Sequence, residues 1–218
     1  MREDRVERGV KFLADYDKIL IDAENKYNVS RKDIVSILMW ESGLGEFTGN
    51  YRIFNVFFNQ ILYLDIAEEY SVSLFIKKNE KSPYENLEAQ EKAKKRIERI
   101  RNNAVNSLVA LLRESKLNKL DPLAQLGSWG GAIGYVQFMP FNLHYVIDGD
   151  NNGTKDLYTF PDAIFSCANF LKTVGKYKNN ESSRKKAIFR YNPSENYVKG
   201  VITYADTIWN RYKVRKNK

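Results

Sequence analysis

The chain has 218 residues, 43% hydrophobic and 13% aromatic, which allows a sizeable core and argues against wholesale disorder. Its 35 Lys and Arg outnumber 27 Asp and Glu, and the net charge of +8 suits an anionic partner such as nucleic acid, lipid or an acidic wall polymer. A single cysteine, Cys167, excludes an internal disulfide and Cys-rich zinc modules; a single histidine, His144, excludes HExxH and multi-histidine metal sites.

The N-terminal MREDRVERG is highly charged and holds no signal-like apolar core, so the expectation is a mature form or a protein made without a signal. No apolar run approaches the ~20 residues that span a bilayer. From about Asp4 to Tyr27 the spacing of Val10, Phe12, Leu13, Tyr16, Ile19 and Leu20 predicts one amphipathic helix, closed by Asn28. Ser30, with Asp33 three residues on, predicts a capping box opening a second helix, which Gly43 and Gly45 end. Helix-like apolar spacing continues through Tyr51–Leu64. Residues 77–103 are rich in Lys, Glu and Asn, with Glu88/Lys92 and Glu91/Lys95 at i,i+4, and predict a solvated helix face. That helix turns apolar at Ala104, Leu108, Leu111 and Leu112, where it should dock. Helices are also predicted at Phe160–Val174, where Cys167 is a small buried hydrophobe, and at Glu195–Tyr212, with Tyr197, Val201, Tyr204 and Ile208 on one stripe. The last residues, 213–218, read as a basic tail. No long period-two alternation occurs, so the fold class is mainly α.

Two local patterns carry chemistry. Ile34, Ile37, Leu38 and Glu41 fall at i, i+3, i+4 and i+7, which puts a carboxylate on an apolar helix face. Glu41 also lies in the last turn, beside unsatisfied carbonyls, and both effects predict a raised pKa. An acid kept protonated near neutrality can deliver a proton to a leaving group. The bland alternative is a side chain that reaches solvent at a helix end. Glu46 is not on the same face, and no second acid near Glu41 is an obvious partner. Trp40 beside it suits core packing better than stacking on a sugar, and His144 suits a structural role. In DGDNNG, residues 148–153, Asp148, Asp150 and Asn152 occupy positions 1, 3 and 5 of an EF-hand-like loop, with Gly153 at the turn. Thr154 offers a backbone carbonyl. Thr159 stands where the usual Glu belongs, and Asp162 can close the shell. A metal-free acidic turn is the alternative.

With these residues in view, the chain resembles the membrane-bound lytic transglycosylase B family. GSWGGAIGYVQFMP (127–140) is similar to the family's GS[WY]AGAMGxxQFMP. Glu41-Ser42-Gly43-Leu44-Gly45 resembles its catalytic E-[ST]-x-[YF]-G. The 148–162 loop, Ala168-Asn169-Phe170-Leu171, and Arg190–Ser194 with Tyr197-Val198 resemble further blocks, all in the family's order. The resemblance implies a lysozyme-like helical fold in a single catalytic domain; residues 66–120 match no block and read, by composition alone, as a helical insertion or subdomain. It implies cleavage of the β-1,4 bond between MurNAc and GlcNAc in peptidoglycan, with formation of 1,6-anhydroMurNAc. Glu41 would be the only acid/base, with the substrate's acetamido group replacing a second carboxylate. Ser128 would orient Glu41. Gln137 and Phe138 would line sugar subsites, and Tyr191, Asn192 and Tyr197 would close the cleft. Asp148, Asp150, Asn152, Thr154 and Asp162 would hold a structural Ca2+, with no organic cofactor. A monomer acting in the cell envelope or periplasm is implied. The family's basic pair downstream of the catalytic helix has no counterpart in Asp65-Ile66-Ala67-Glu68-Glu69-Tyr70.

Three other classes stand beside this one. A glycan-binding relative without catalysis keeps the fold but has no use for Glu41. A hydrolytic muramidase would give reducing ends. A nucleic-acid binder is suggested only by the charge, and no base-reading or stacking motif supports it.

Overall fold

The computed structural model describes residues 2–77, 87–118, 120–178 and 180–216. Among them the helices are, in chain order, α1 (Glu3–Asp15), α2 (Asp17–Tyr27), α3 (Arg31–Ser42), α4 (Ile53–Lys77), α5 (Leu87–Leu117), α6 (Phe160–Thr173), α7 (Glu181–Tyr191) and α8 (Glu195–Lys216). Two short strands, β1 (Tyr51–Arg52) and β2 (Leu126–Gly127), and a 3-10 turn at Pro140–Tyr145 complete the set. The fold is mainly α, as the patterning predicts. The chain divides into two compact units. The first holds Met1–Thr48, Ile133–Phe138 and His144–Lys218, and the second Gly49–Ala132 and Met139–Leu143.

In the first unit α3 is the central helix, packed by α1, α2, α6 and α8. Its residues from Asp33 to Met39 are all buried, so apolar side chains cover nearly every face rather than one stripe. The single N-terminal helix predicted is in fact two. Tyr16 leaves helical geometry (φ −110°, ψ 20°), and its ring joins a cluster with Phe12 at 4.4 Å and Phe160 at 4.9 Å. Periodicity alone does not register that break, because the apolar spacing runs through it. Asn28 ends α2 as expected, in the left-handed region (φ 51°). The capping box at Ser30 does not form. Ser30 is the N-cap residue but makes no side-chain cap bond, and the Asp33 carboxylate turns inward to Arg184 and Tyr177.

The predicted stripe of α8 is buried at Tyr197, Val201, Tyr204 and Ile208. Residues 213–216 are not a tail but the last turn of α8, where Arg215 pairs with Glu7 at 2.6 Å and Lys216 with Asp17 at 3.0 Å. The remaining residues of the predicted tail lie outside the described set. No periodic pattern predicts α7, which buries only Ala187 and Ile188. His144 is exposed, with its ring 3.9 Å from that of Tyr145.

In the second unit α4 and α5 pack on each other, and β1 pairs antiparallel with β2, Tyr51 opposite Gly127. Ile53 and Phe57 anchor α4. The docked face of α5 is Ala104, Ser107, Ala110, Leu111 and Glu114. Leu112, one residue or about 100° further round, is instead exposed. On the solvated face Lys92 pairs with Glu88 at 2.5 Å. Residues 78–86 of the predicted charged stretch lie outside the described residues.

Candidate active site

The last turn of α3 carries Glu41, which is only partly exposed. Among the described residues its one hydrogen-bond partner is Tyr197 of α8, whose hydroxyl donates to Oε1 at 2.5 Å. No Lys or Arg side chain bonds to it. Burial pushes the Glu41 pKa up to about 7, and the Tyr197 bond, which favours the ionised form, offsets this only in part. Burial and the neighbouring carboxyl likewise raise the Tyr197 pKa, so this phenol stays a donor. Cys167 of α6 is fully buried, as expected; its thiol is pushed up by burial first and by the Glu41 charge second. Trp40 departs from the expectation of core packing. It is 48% exposed, with its ring edge-on to Tyr197 at 5.7 Å.

The chain leaves α3 through three successive left-handed residues, Gly43 (φ 61°), Leu44 (φ 58°) and Gly45 (φ 86°). Leu44 pays a steric cost in that region that a glycine does not. Side chains hold the turn. Ser42 Oγ donates to the Tyr135 carbonyl at 2.8 Å and accepts from Gly45 N at 3.0 Å. Arg8 of α1 donates to the Gly43 carbonyl at 2.6 Å and pairs with Glu46. Glu46 is thereby accounted for as an ion-pair partner of Arg8. Neither Ser42 nor Arg8 stands out by sequence pattern as a support of Glu41; the only signal is the Ser next to the Glu.

Residues 133–138 form a tight turn closed by Ile133 N to Phe138 O at 2.8 Å and Phe138 N to Ile133 O at 3.1 Å. At its tip Gln137 adopts φ 50°, and its Nε2 donates back to the Gly134 carbonyl at 2.8 Å. Phe138 is buried, with its ring 5.3 Å from Phe170 and 5.9 Å from Tyr191. The Tyr191 hydroxyl donates to the Val136 carbonyl at 2.6 Å. Phe138 and Tyr191 brace the turn that carries Gln137; Phe138 is buried there and offers no free face as a subsite wall, whereas Tyr191 is half-buried. Asn192 is the C-cap residue of α7, partly exposed. Ser128 belongs to the second unit, where its Oγ accepts from Ala132 N at 3.0 Å and closes the glycine-rich turn. Trp129 beside it is exposed.

The 148–162 loop brings carboxylate oxygens of Asp148, Asp150 and Asp162 within 4.8 Å of one another. Backbone N–H groups hold them. Asp148 accepts from Gly153 at 2.8 Å, and Asp162 accepts from Gly149 at 2.7 Å and from Asp156 at 2.6 Å. Asn152 Oδ1 accepts from Thr154 N at 2.8 Å. Asp162 is buried, and burial, with the charges of Asp150 and Asp148 after it, raises its pKa. A cluster of hard oxygen donors with uncompensated negative charge fits a Ca2+-like cation.

A family model, the transglycosylase SLT domain, matches residues 1–186. Among solved structures, the Escherichia coli lytic transglycosylase SLT35 in complex with calcium aligns with a TM-score of 0.75 at 21% identity, over 97% of this chain and 76% of that one. Soluble lytic transglycosylase SltB1 from Pseudomonas aeruginosa aligns with a TM-score of 0.73 at 21% identity, over 97% and 80%. SltB3 from the same organism, in complex with NAG-anhNAM-pentapeptide, gives 0.68 at 20% identity, over 94% and 64%. No curated protein compared with the chain matches it. At these identities the structural likeness establishes the fold, and the family model carries the kinship.

Proposed function

The chain belongs to the transglycosylase SLT domain family and is a lytic transglycosylase, an enzyme that cleaves peptidoglycan, and we propose that Glu41 is its single acid/base. The observation that carries this is a carboxyl with one neutral partner, Tyr197, and a pKa of about 7. At neutral pH such a group is present in both protonation states, as a residue that gives and then retakes a proton requires. Protonated Glu41 gives its proton to the glycosidic oxygen as the bond from MurNAc C1 breaks. The 2-acetamido carbonyl supports the positive charge at C1. The Glu41 carboxylate, steadied by the Tyr197 hydroxyl, then takes the proton of the MurNAc 6-hydroxyl as that oxygen attacks C1. The products are a GlcNAc end and a 1,6-anhydroMurNAc end, and Glu41 is protonated again. Gln137, on its braced turn, and Asn192 are the substrate contacts we assign in this unit.

The strands it cuts carry peptide stems, like the pentapeptide fragment held by SltB3. The ordered motifs, GSWGGAIGYVQFMP above all, favour the membrane-bound B group within the family. The substrate favours a cell-envelope or periplasmic location, and no helix among the described residues is long and apolar enough to cross a membrane. We read residues 66–120 as a helical insertion in one catalytic domain of a monomer; the packing of α4 on α5 within the second unit supports the insertion. Asp148, Asp150, Asn152, Thr154 and Asp162 would hold Ca2+, which neutralises the acidic loop and ties it to α6. Added Ca2+ should raise the unfolding temperature of the wild type and leave that of Asp150→Asn nearly unmoved; an equal response of both would remove the site.

Mass spectrometry of peptidoglycan digested by the wild type and by Glu41→Gln tests the main proposal. Anhydro-muropeptides from the wild type alone are expected. Reducing-end products would make the protein a hydrolytic muramidase, and no products from either would make it a glycan binder.

A further inference from the structure

Trp40 precedes Glu41 on α3, and Asn196 precedes Tyr197 on α8. One residue back along both helices lies a second concavity of about 480 Å³, lined by Arg5 of α1, Trp40, and Asn196, Lys199, Gly200 and Thr203 of α8. One wall is aromatic. The indole of Trp40 lies so close to Gly200 that a Cβ there would sit 2.1 Å from its ring, so glycine is what lets the indole approach α8 this closely. The wall is also rigid, since Arg5 O accepts from the Tyr204 hydroxyl at 2.7 Å and fixes that turn of α1 against α8.

The rim is cationic and unbalanced. Among the described residues neither the Arg5 guanidinium nor the Lys199 ammonium has an ion-pair or hydrogen-bond partner, and no Asp or Glu lines the pocket. Arg2, also on the rim, is taken up by Asp4 at 2.8 Å. The cavity at the other end of the α1/α8 pair shows the contrast. There Arg8, Lys11, Arg215 and Lys216 are all matched, by Glu46, Asp15, Glu7 and Asp17. Unmatched cations beside an apolar wall select an anion with an apolar stem, because a neutral sugar leaves the charges unanswered.

We propose that this pocket binds the peptide stem of the strand being cleaved, with Trp40 against the stem and Arg5 and Lys199 holding its carboxylates. The assignment rests on the reading of Glu41 as the acid/base, since Trp40 of the pocket wall packs on Tyr197, whose hydroxyl bonds Glu41.

The test uses strands with intact stems, the same strands stripped by an amidase, and the free stem pentapeptide, against the wild type and the double variant Arg5→Ala/Lys199→Ala. Both residues are exposed, and circular dichroism checks that the variant folds. The wild type should cleave stem-bearing strands about tenfold better than stripped ones, chiefly through KM. The variant should lose that preference, and the free pentapeptide should bind it about tenfold more weakly. Equal affinity of both proteins for the pentapeptide overturns the proposal. So does displacement of the peptide by inorganic phosphate at comparable concentration, which would mark a general anion site. Peptide binding that depends on Arg5 and Lys199, without cleavage of either strand, would uphold this pocket and defeat the catalytic reading.

Discussion

Helix α3 carries an acid at each end, one fully buried and one half-buried, and the two have opposite surroundings. Asp33, in the first turn, is fully buried. It accepts from Arg184 Nε at 2.8 Å and Nη2 at 2.5 Å and from the Tyr177 hydroxyl at 2.7 Å. Arg184 in turn reaches Asp206 at 3.1 Å. Glu41, in the last turn, has a single neutral donor. Withdrawal from water, complete at Asp33 and partial at Glu41, is common to both. The partner decides whether the acid is held in an ion pair that ties α3 to α7 or is left with a single neutral donor.

The sharpest way to break the comparison is Glu41→Gln. Its kcat should fall about 10³-fold, the scale of lost acid/base catalysis. The same change should stabilise the fold at pH 8 by up to about 3 kcal/mol, because ionising a carboxyl raised to about 7 costs folding energy. The sign follows from proton binding. The folded state holds this proton at pH values where the unfolded chain has lost it, so wild-type stability falls as pH rises from the usual carboxylate range through about 7. The gain should therefore vanish near pH 4. Denaturant unfolding at both pH values checks it, and a destabilised variant at pH 8 would contradict the raised pKa.

Asp33→Ala should destabilise the protein by about 3–5 kcal/mol, because it strands the buried Arg184 charge. A loss below about 1 kcal/mol in urea would mean that the two ends of α3 do not differ as described. Tyr197→Phe sharpens the contrast by removing the last polar partner of Glu41. Since that bond favours the ionised carboxyl, its loss should raise the Glu41 pKa further and move the alkaline fall in kcat/KM to higher pH. We expect about a tenfold loss in kcat; an alkaline limb that stays in place would show that Tyr197 does not act on Glu41. The smallest effect belongs to Arg8→Ala, which frees the Gly43 carbonyl and Glu46. Both partners are half exposed, so about 1 kcal/mol is expected in thermal unfolding.

Much of this was legible in the chain. The spacing that put Glu41 among Ile34, Ile37 and Leu38 is local and survives folding, as does the stripe on α8. The raised pKa followed from the apolar face, since burial is what raises it. The metal-loop spacing likewise predicted which carboxylates converge. Elsewhere local pattern misled. Ser30 and Asp33 look like a capping box, but Asp33 serves a partner 151 residues away; Tyr16 sits in a continuous apolar pattern, yet its ring is recruited by Phe160. Phe138 lies in a motif that points to a wall, but it packs behind it.

The residue types and their order were thus enough to point to the transglycosylase family and the helical class and to single out Glu41, because these depend on short-range periodicity and motif. Which hydroxyl meets that acid, which cation neutralises Asp33, and which cations near Trp40 are left without a partner were settled only when α1, α3, α7 and α8 packed together. Those contacts join groups as far as 156 residues apart in sequence, and no local propensity encodes a distance between helices.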